Sequence, residues 1–179
     1  MSALLDGKTV AFLATDGFEQ VELVQPWQVL DEAGCDNRLL APDGPRIQGM
    51  NHMDKADTFE VDQRVGDAYP ADFDALVLPG GVANPDNLRL NAEAVDFVRA
   101  FCALERPLAA ICHAPWLLVE AGVVTGRTLT SWPSLATDIR NAGGSWVDEP
   151  VTIDGHLITS RKPDDLEAFC DALVRRLTP

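Results

Sequence analysis

One cysteine lies between two apolar segments, where it could act as a nucleophile. The run Leu108 to Ile111 leads directly into Cys112 and His113, and Ala114-Pro115 opens a second apolar stretch. This pattern predicts a buried strand, a sharp turn at the cysteine and a helix. The N–H groups and the dipole at a helix start favour negative charge there. Both effects lower a thiol pKa from its usual value of about 8.5, so we expect Cys112 to be reactive.

Two side chains and one backbone turn are candidates to serve this thiol. His113 is the candidate base, but it reaches the sulfur only if its ring swings back, and a structural hydrogen bond is the alternative. Glu19 follows the first predicted strand, and a protonated Glu19 would donate a hydrogen bond to the thiol. The alternative is that Glu19 and Glu22 are ordinary acids of a first helical turn. The amides of Gly81 and His113 are candidates for an oxyanion hole.

The other three cysteines are predicted to lie in the core. Cys102 and Cys170 fall in the apolar stripes of predicted helices, and Cys35 directly follows Gly34 at a helix-to-strand connection. Free cysteines often behave as small buried hydrophobic side chains. No C-x-x-C pair is present, so the spacing indicates neither a zinc site nor a thioredoxin-like redox site.

No metal or cofactor is predicted. The three histidines, His52, His113 and His156, are not spaced as metal ligands. Gly80-Gly81 matches neither the G-x-G-x-x-G nor the P-loop pattern, so it is a weak candidate for phosphate binding.

Composition limits the class of protein. The 179 residues suit one compact domain spanning residues 1–179. Net charge is −14, from 14 basic and 28 acidic residues. This charge repels nucleic acid and anionic membrane surfaces, so neither is an expected partner. No run approaches the roughly 20 apolar residues of a membrane helix. Residues Met1 to Lys8 lack the features of a signal peptide, and we expect a cytoplasmic protein.

Strands and helices alternate along the chain. The predicted strands are residues 9–14, 38–41, 75–79, 108–111 and 127–130, and the predicted helices are 20–33, 91–104, 114–121, 134–141 and 163–177. Residues 42–70 are the least regular, with one short strand at 58–61. Residues Val151 to Thr159 predict a hairpin in which Asp154-Gly155 supplies two positive-φ positions. The alternation predicts an α/β sandwich around a mainly parallel sheet, with the site beyond the carboxyl ends of its strands.

Several segments together resemble the ThiJ/PfpI family in order and spacing. They are Asp16 to Leu23, Ala75 to Gly81 and Ala110 to Pro115, and the tail segments 141–150 and 154–161 are similar to the PfpI, general-stress-protein branch. The resemblance covers nearly the whole chain. It implies a flavodoxin-like three-layer sandwich with a nucleophile elbow, assembled as a homodimer or as a hexamer built from dimers.

The resemblance also implies roles for four side chains. Cys112 matches the family's reactive cysteine, His113 its adjacent histidine, and Glu19 the glutamate that hydrogen-bonds the thiol. In the PfpI branch a carboxylate from a neighbouring subunit orients the histidine. Asp86 is the nearest match to that carboxylate, although its loop is one residue longer than in the archaeal peptidases.

Two functions follow as alternatives. The first is a stress-response hydrolase or lyase in which Cys112 attacks a carbonyl. The family acts either on small dicarbonyls and their protein adducts (glyoxalase or deglycase activity) or on peptide bonds. We favour dicarbonyls because an aldehyde is easier to attack than an amide. Long peptides are also disfavoured by Trp116 and Trp132, which stand where the archaeal peptidases carry glutamine and tyrosine, and by Ala114, which replaces a common glycine.

The second function is a non-enzymatic stress protein whose Cys112 is oxidised reversibly or stoichiometrically. The expected partners are small carbonyl compounds, glycated proteins or peptides, and further copies of the same chain.

Overall fold

The computed structural model describes residues 4–178. Residue 179 and residues 1–3, part of the segment in which we predict no signal peptide, lie outside the described residues. The strands are β1 (Thr9–Leu13), β2 (Phe18–Glu19), β3 (Asp36–Ala41), β4 (Arg46–Asn51), β5 (Asp54–Glu60), β6 (Gln63–Arg64), β7 (Ala75–Leu78), β8 (Leu108–Ile111), β9 (Thr128–Leu129), β10 (Ser145–Trp146), β11 (Val151–Asp154) and β12 (Leu157–Ser160). The α-helices are α1 (Gln20–Glu32), α2 (Ala83–Leu88), α3 (Ala92–Cys102), α4 (Pro115–Glu120), α5 (Ala136–Asn141) and α6 (Leu166–Leu177).

The central sheet has seven strands in the order β11-β12-β8-β7-β1-β3-β6. Every neighbouring pair in it is parallel except β11 and β12. The carboxyl ends of β1, β7 and β8 therefore meet at one edge, where sites form in open α/β sheets.

Helices cover both faces of this sheet because its central strands are apolar on both sides. Val10 and Phe12 of β1 share one buried cluster with residues of α1 and α6. Ala11 and Leu13 point the other way, into a cluster with residues of α3 and α4. The predicted flavodoxin-like three-layer sandwich is confirmed. No helix in the described part of the chain is long and apolar enough to cross a membrane.

The segment predicted to be least regular contains a hairpin. β4 and β5 pair antiparallel and join β2 in a separate three-stranded sheet. The predicted strand at 58–61 covers only the end of β5. Side chains of β5 are mostly exposed on both faces, so the strand lacks the apolar alternation by which it could be recognised.

The second hairpin, β11–β12, is confirmed, but its turn lies one residue later than predicted. Asp154 belongs to β11 and pairs with Leu157, so Gly155 and His156 form the turn. Only Gly155 has a positive φ, of 61°. One glycine at the first turn position is enough for a type II′ turn.

Candidate active site

Cys112 forms a sharp elbow between β8 and α4. Its φ of 63° is positive, which is uncommon for a side chain other than glycine. The neighbouring backbone holds this conformation: the Cys112 N–H donates to the Ser160 carbonyl at 3.1 Å, and the Cys112 carbonyl accepts from the Trp132 N–H at 2.8 Å. Such strain persists only where the surroundings enforce it. The elbow therefore fixes the thiol at the carboxyl edge of the sheet.

The carboxyl group that meets this thiol belongs to Glu22. Glu22 is completely buried. Its Oε2 accepts a hydrogen bond from the Gly80 N–H at 2.8 Å, and its carboxyl group is in hydrogen-bonding contact with Cys112. Its Oε1 has no hydrogen-bond partner within residues 4–178. A proton on this carboxyl would give it a donor to offer the sulfur.

Glu19, which we expected in this position, lies elsewhere, and the prediction is corrected. Its carboxylate accepts from the His52 N–H at 3.1 Å, at the tip of the β4–β5 hairpin. Glu19 has extended backbone and pairs with Met50, so its side chain is directed towards the hairpin. Glu22 lies one helical turn later, on the face of α1 that packs against the sheet with Leu23.

Burial controls the protonation of Glu22 and Cys112. It raises the pKa of Glu22 from 4.5 to about 8, although the Gly80 N–H partly opposes this. The Glu22 carboxyl is therefore predominantly protonated at neutral pH. Burial, and next the charge of an ionised Glu22, raise the pKa of the Cys112 thiol, while the N–H groups of Gly81 and His113 lower it. The two groups titrate as a coupled pair.

This result corrects the expected effect of the elbow on the thiol. The sequence predicted a lowered pKa from the start of a helix. The amides do act in that direction, but removal of the thiol from water is the largest effect on its pKa and has the opposite sign. Ionisation of the resting thiol therefore needs a nearby proton acceptor.

His113 lies at the position where such an acceptor would be needed. Its ring swings back so that Nδ1 lies 3.2 Å from Cys112 Sγ. The ring stacks on Trp132 with centroids 5.6 Å apart and tilts against Trp116 at 5.2 Å. Burial lowers the pKa of His113, so its imidazole is neutral at neutral pH and can accept the thiol proton.

The Gly80-Gly81 turn faces both members of the pair. Gly81 has a φ of 79°. The Gly81 N–H faces the sulfur of Cys112, and the Gly80 N–H donates to the Glu22 carboxyl group. Asn84, completely buried, holds the turn in place. Its Nδ2 donates to the carbonyls of Pro79 (2.8 Å) and Gly80 (3.0 Å). Neither this asparagine nor the position of Glu22 beside the thiol was predicted from the sequence. For Glu22 the available signal was an acid within the apolar face of α1.

Replacing Gly80 with alanine should disrupt this packing. A Cβ at that position would lie 2.6 Å from Cys112 Cβ and 2.7 Å from the Ile111 carbonyl oxygen, and the backbone cannot move away cheaply. We expect a loss of about 2–3 kcal/mol in the free energy of unfolding, measured by urea denaturation. Gly66→Ala is the control, because the three atoms nearest its Cβ would all belong to the end of the flexible Glu93 side chain. Equal losses in the two variants would contradict the proposed tight packing.

A cavity of about 810 Å³ gives access to the thiol. Cys112, His113, Glu22 and Glu19 line it together with Trp132, Met53 and Lys55. Asp86 of α2 lies on its wall, and no hydrogen bond joins it to His113 within residues 4–178. In the same residues no group of three or more His, Cys, Asp or Glu side chains is arranged to hold a metal ion.

The chain is similar to known proteins along nearly its whole length. A model of the DJ-1/PfpI family matches residues 8–176. A Pyrococcus horikoshii protein named as a deglycase is 40% identical over 168 residues, which cover 94% of this chain and 98% of the relative. The Bacillus subtilis protein YraA, whose name assigns it provisionally to the cysteine proteases, is 37% identical over 165 residues, covering 90% of this chain and 94% of the relative.

A solved structure from Anabaena variabilis has a similar fold. That two-domain protein, with a DJ-1/ThiJ/PfpI-like and a ferritin-like domain, superposes with a TM-score of 0.90 at 33% identity. The match covers 95% of this chain but only 48% of the Anabaena protein.

Proposed function

The chain belongs to the DJ-1/PfpI family, and from that premise we propose a cysteine-dependent enzyme acting on small reactive carbonyls and on their protein adducts. Methylglyoxal is the representative substrate. The observation that carries the proposal is the set of contacts at Cys112, where a neutral imidazole Nδ1 lies 3.2 Å from the sulfur and a buried carboxyl group faces it. The deglycase name of the Pyrococcus relative also supports it.

The first step forms a covalent adduct. Cys112 Sγ attacks the aldehyde carbon of methylglyoxal while the thiol proton moves to His113 Nδ1. A C–S bond forms, and the C=O π electrons move to oxygen. The N–H groups of Gly81 and His113, which face the sulfur in the resting protein, are close enough to the adduct to stabilise this oxygen before it takes a proton. The oxygen takes the proton from His113, so the product is a hemithioacetal and the imidazole is neutral again.

The later steps return the thiol. His113 removes the C1 proton of the hemithioacetal, which gives an enediolate. The same proton is returned to C2 while the C1 hydroxyl proton moves to the C2 oxygen, and the adduct becomes a thioester. Water then cleaves the C–S bond, releasing lactate and the thiol. The sum is methylglyoxal plus water giving lactate, with no external oxidant. In this scheme the protonated Glu22 keeps a second negative charge away from the sulfur and donates a hydrogen bond to it.

Access to the thiol favours small substrates. Cys112 is only 6% exposed, and the ring of Trp132 is stacked on the histidine beside it. An extended peptide would have to place an amide carbon, less electrophilic than an aldehyde, at this buried sulfur. We therefore rank peptide bonds below small carbonyls as substrates.

We also propose that Asp86 acts through a second copy of the chain. Its place on the cavity wall, away from any hydrogen bond to its own His113, supports a role toward the histidine of a neighbouring subunit. This arrangement would require the homo-oligomer that the family resemblance implies.

A substrate panel tests the proposed function. Purified protein and Cys112→Ala are incubated with methylglyoxal, with its lysine and arginine adducts, and with denatured casein. Cys112-dependent formation of lactate or release of free amine supports the proposal. Cleavage of casein alone would replace it with a peptidase. If no substrate is turned over and mild peroxide oxidises Cys112 stoichiometrically, as followed by mass spectrometry, the enzyme function is replaced by the non-enzymatic oxidation function.

A further inference from the structure

A second cysteine–histidine pair lies at the opposite end of β8 from the active site. Cys102 ends α3, and its Sγ lies 3.3 Å from Nε2 of His156, in the β11–β12 turn. The His156 carbonyl accepts from the N–H of Leu108, the first residue of β8, whereas Cys112 follows the last. The two thiols therefore occupy opposite edges of the sheet.

A guanidinium completes this cluster. Arg127 Nη2 lies 3.5 Å from the same Nε2 of His156, and its side chain also hydrogen-bonds the sulfur. No carboxylate within residues 4–178 is recorded at ion-pair distance from Arg127. Its positive charge is therefore available to the sulfur. The sulfur thus contacts both a group that can accept its proton and a cation that can stabilise the resulting thiolate.

The cluster opens to solvent through its own cavity. This cavity has a volume of about 420 Å³ and is lined by Cys102, His156, Arg127, Arg99, Glu105 and Thr125, among others. The space is sufficient for a small molecule to approach the sulfur. A core position alone, which the helical spacing of Cys102 predicts, does not account for an open cavity and two polar partners.

Protonation of the cluster is compatible with reaction. Burial raises the pKa of Cys102, the charge and hydrogen bond of Arg127 oppose this, and the charge of Glu105 adds to the rise. The net shift is upward, so ionisation of this thiol needs a proton acceptor. Burial and the charge of Arg127 lower the pKa of His156. The imidazole is therefore neutral near pH 7 and able to take a proton from the thiol.

We propose that Cys102 is a site of reversible modification by small-molecule disulfides. In the reaction, the Cys102 proton moves to His156 Nε2 and the sulfur attacks one sulfur of the disulfide. A new S–S bond forms to Cys102 as the original one breaks. The leaving thiolate takes the proton, so one thiol and one disulfide give one mixed disulfide and one thiol. A reducing thiol reverses the exchange.

The chain contains a matched control for this chemistry. Cys35 has the same exposed fraction as Cys102, 7%, and Cys170 is 4% exposed. Within residues 4–178, no side chain forms a hydrogen bond with the sulfur of Cys35 or of Cys170. Cys35 therefore controls for the exposed fraction of the thiol, and variants of His156 and Arg127 are needed to assign a difference in reactivity to those two side chains.

The test uses the full chain carrying Cys112→Ser, which removes the active-site thiol. Folded protein is incubated with oxidised glutathione, and the glutathionyl adduct at each cysteine is followed by peptide mass spectrometry. We expect Cys102 to react at least about tenfold faster than Cys35, and dithiothreitol to remove the adduct. Equal rates at Cys102 and Cys35 would overturn the proposal.

Two variants assign the effect. His156→Asn and, separately, Arg127→Gln should each slow modification of Cys102 while leaving Cys35 and Cys170 unchanged. A faster modification of Cys35 in one variant would show that its fold is loosened. The Cys102 rate in the other variant then tests the proposal. An unchanged Cys102 rate in a folded variant contradicts the role of that partner. Because this readout needs no turnover, it fails or succeeds independently of the proposed enzyme function.

Discussion

Glu22→Gln is expected to make the protein more stable than wild type at alkaline pH, by an amount that grows as the pH rises. The pKa of Glu22 is about 8 in the folded protein against a usual 4.5. Below about pH 4.5 the carboxyl is neutral in both the folded and the unfolded chain. Between these values only the unfolded chain releases the proton, so a rising pH favours unfolding. Above about pH 8 the penalty is complete.

The size of the effect follows from the pKa difference. One pKa unit corresponds to about 1.36 kcal/mol, so the wild type loses up to about 5 kcal/mol relative to the glutamine variant between acid and alkaline pH. Glutamine carries no charge to bury, and its amide can still accept from the Gly80 N–H. Urea denaturation of both proteins across this pH range measures the difference directly.

Glu19→Gln is the matched control. It removes a carboxyl group from the same end of α1, but one that binds the His52 N–H instead of the thiol. A constant stability difference between Glu22→Gln and wild type at all pH values would contradict the account. So would a larger pH dependence in the Glu19 variant than in the Glu22 variant.

Cys112→Ser is expected to lower the rate of methylglyoxal turnover by a factor of at least about 1000. Serine retains the shape of the side chain and the contact with His113, but a hydroxyl group is far harder to ionise than a thiol. The buried neutral imidazole is too weak a base to compensate. Stopped-time assays of lactate formation at saturating methylglyoxal measure the loss in kcat.

Stability distinguishes a chemical effect from misfolding. The substitution is nearly isosteric, so the free energy of unfolding should change by less than about 2 kcal/mol. Cys170→Ser, at a buried thiol remote from the cavity, is the control and should keep the wild-type kcat. A folded Cys112→Ser protein with wild-type kcat would show that the thiol is not the nucleophile.

The strands that position the site could be predicted from sequence because they are buried on both faces. β1, β7 and β8 each form a short continuous apolar run, and the break after β8 placed Cys112 correctly at a strand end. The glycines after β7 similarly indicated a turn at the same edge. These features depend on local pattern alone.

The identity of the acid could not be obtained in the same way. Glu19 and Glu22 both fall near the start of α1, and the helix begins at Gln20. The predicted helix start at residue 20 is correct, so the boundary is not the cause. Which of these two acids reaches the thiol depends on how α1 packs against the sheet, and this packing is tertiary. The pairing of Glu19 with the β4–β5 hairpin is also nonlocal, and that hairpin has no apolar alternation to reveal it.

The direction of the pKa shift of the Cys112 thiol could not be predicted from the sequence either. The start of a helix is visible in the sequence, and it favours the thiolate. The degree of burial and the proximity of Glu22 arise only from tertiary packing, and they outweigh it.

Carboxyl NMR tests the central claim, that a protonated Glu22 serves Cys112, most directly. Protein labelled with ¹³C at the glutamate carboxyls is titrated from about pH 5 to about pH 9. We predict one carboxyl resonance that remains protonated at neutral pH and titrates near pH 8. It should be missing in Glu22→Gln and present in Glu19→Gln. Ionisation of every glutamate carboxyl at neutral pH, or loss of the late-titrating resonance in Glu19→Gln, would contradict the account.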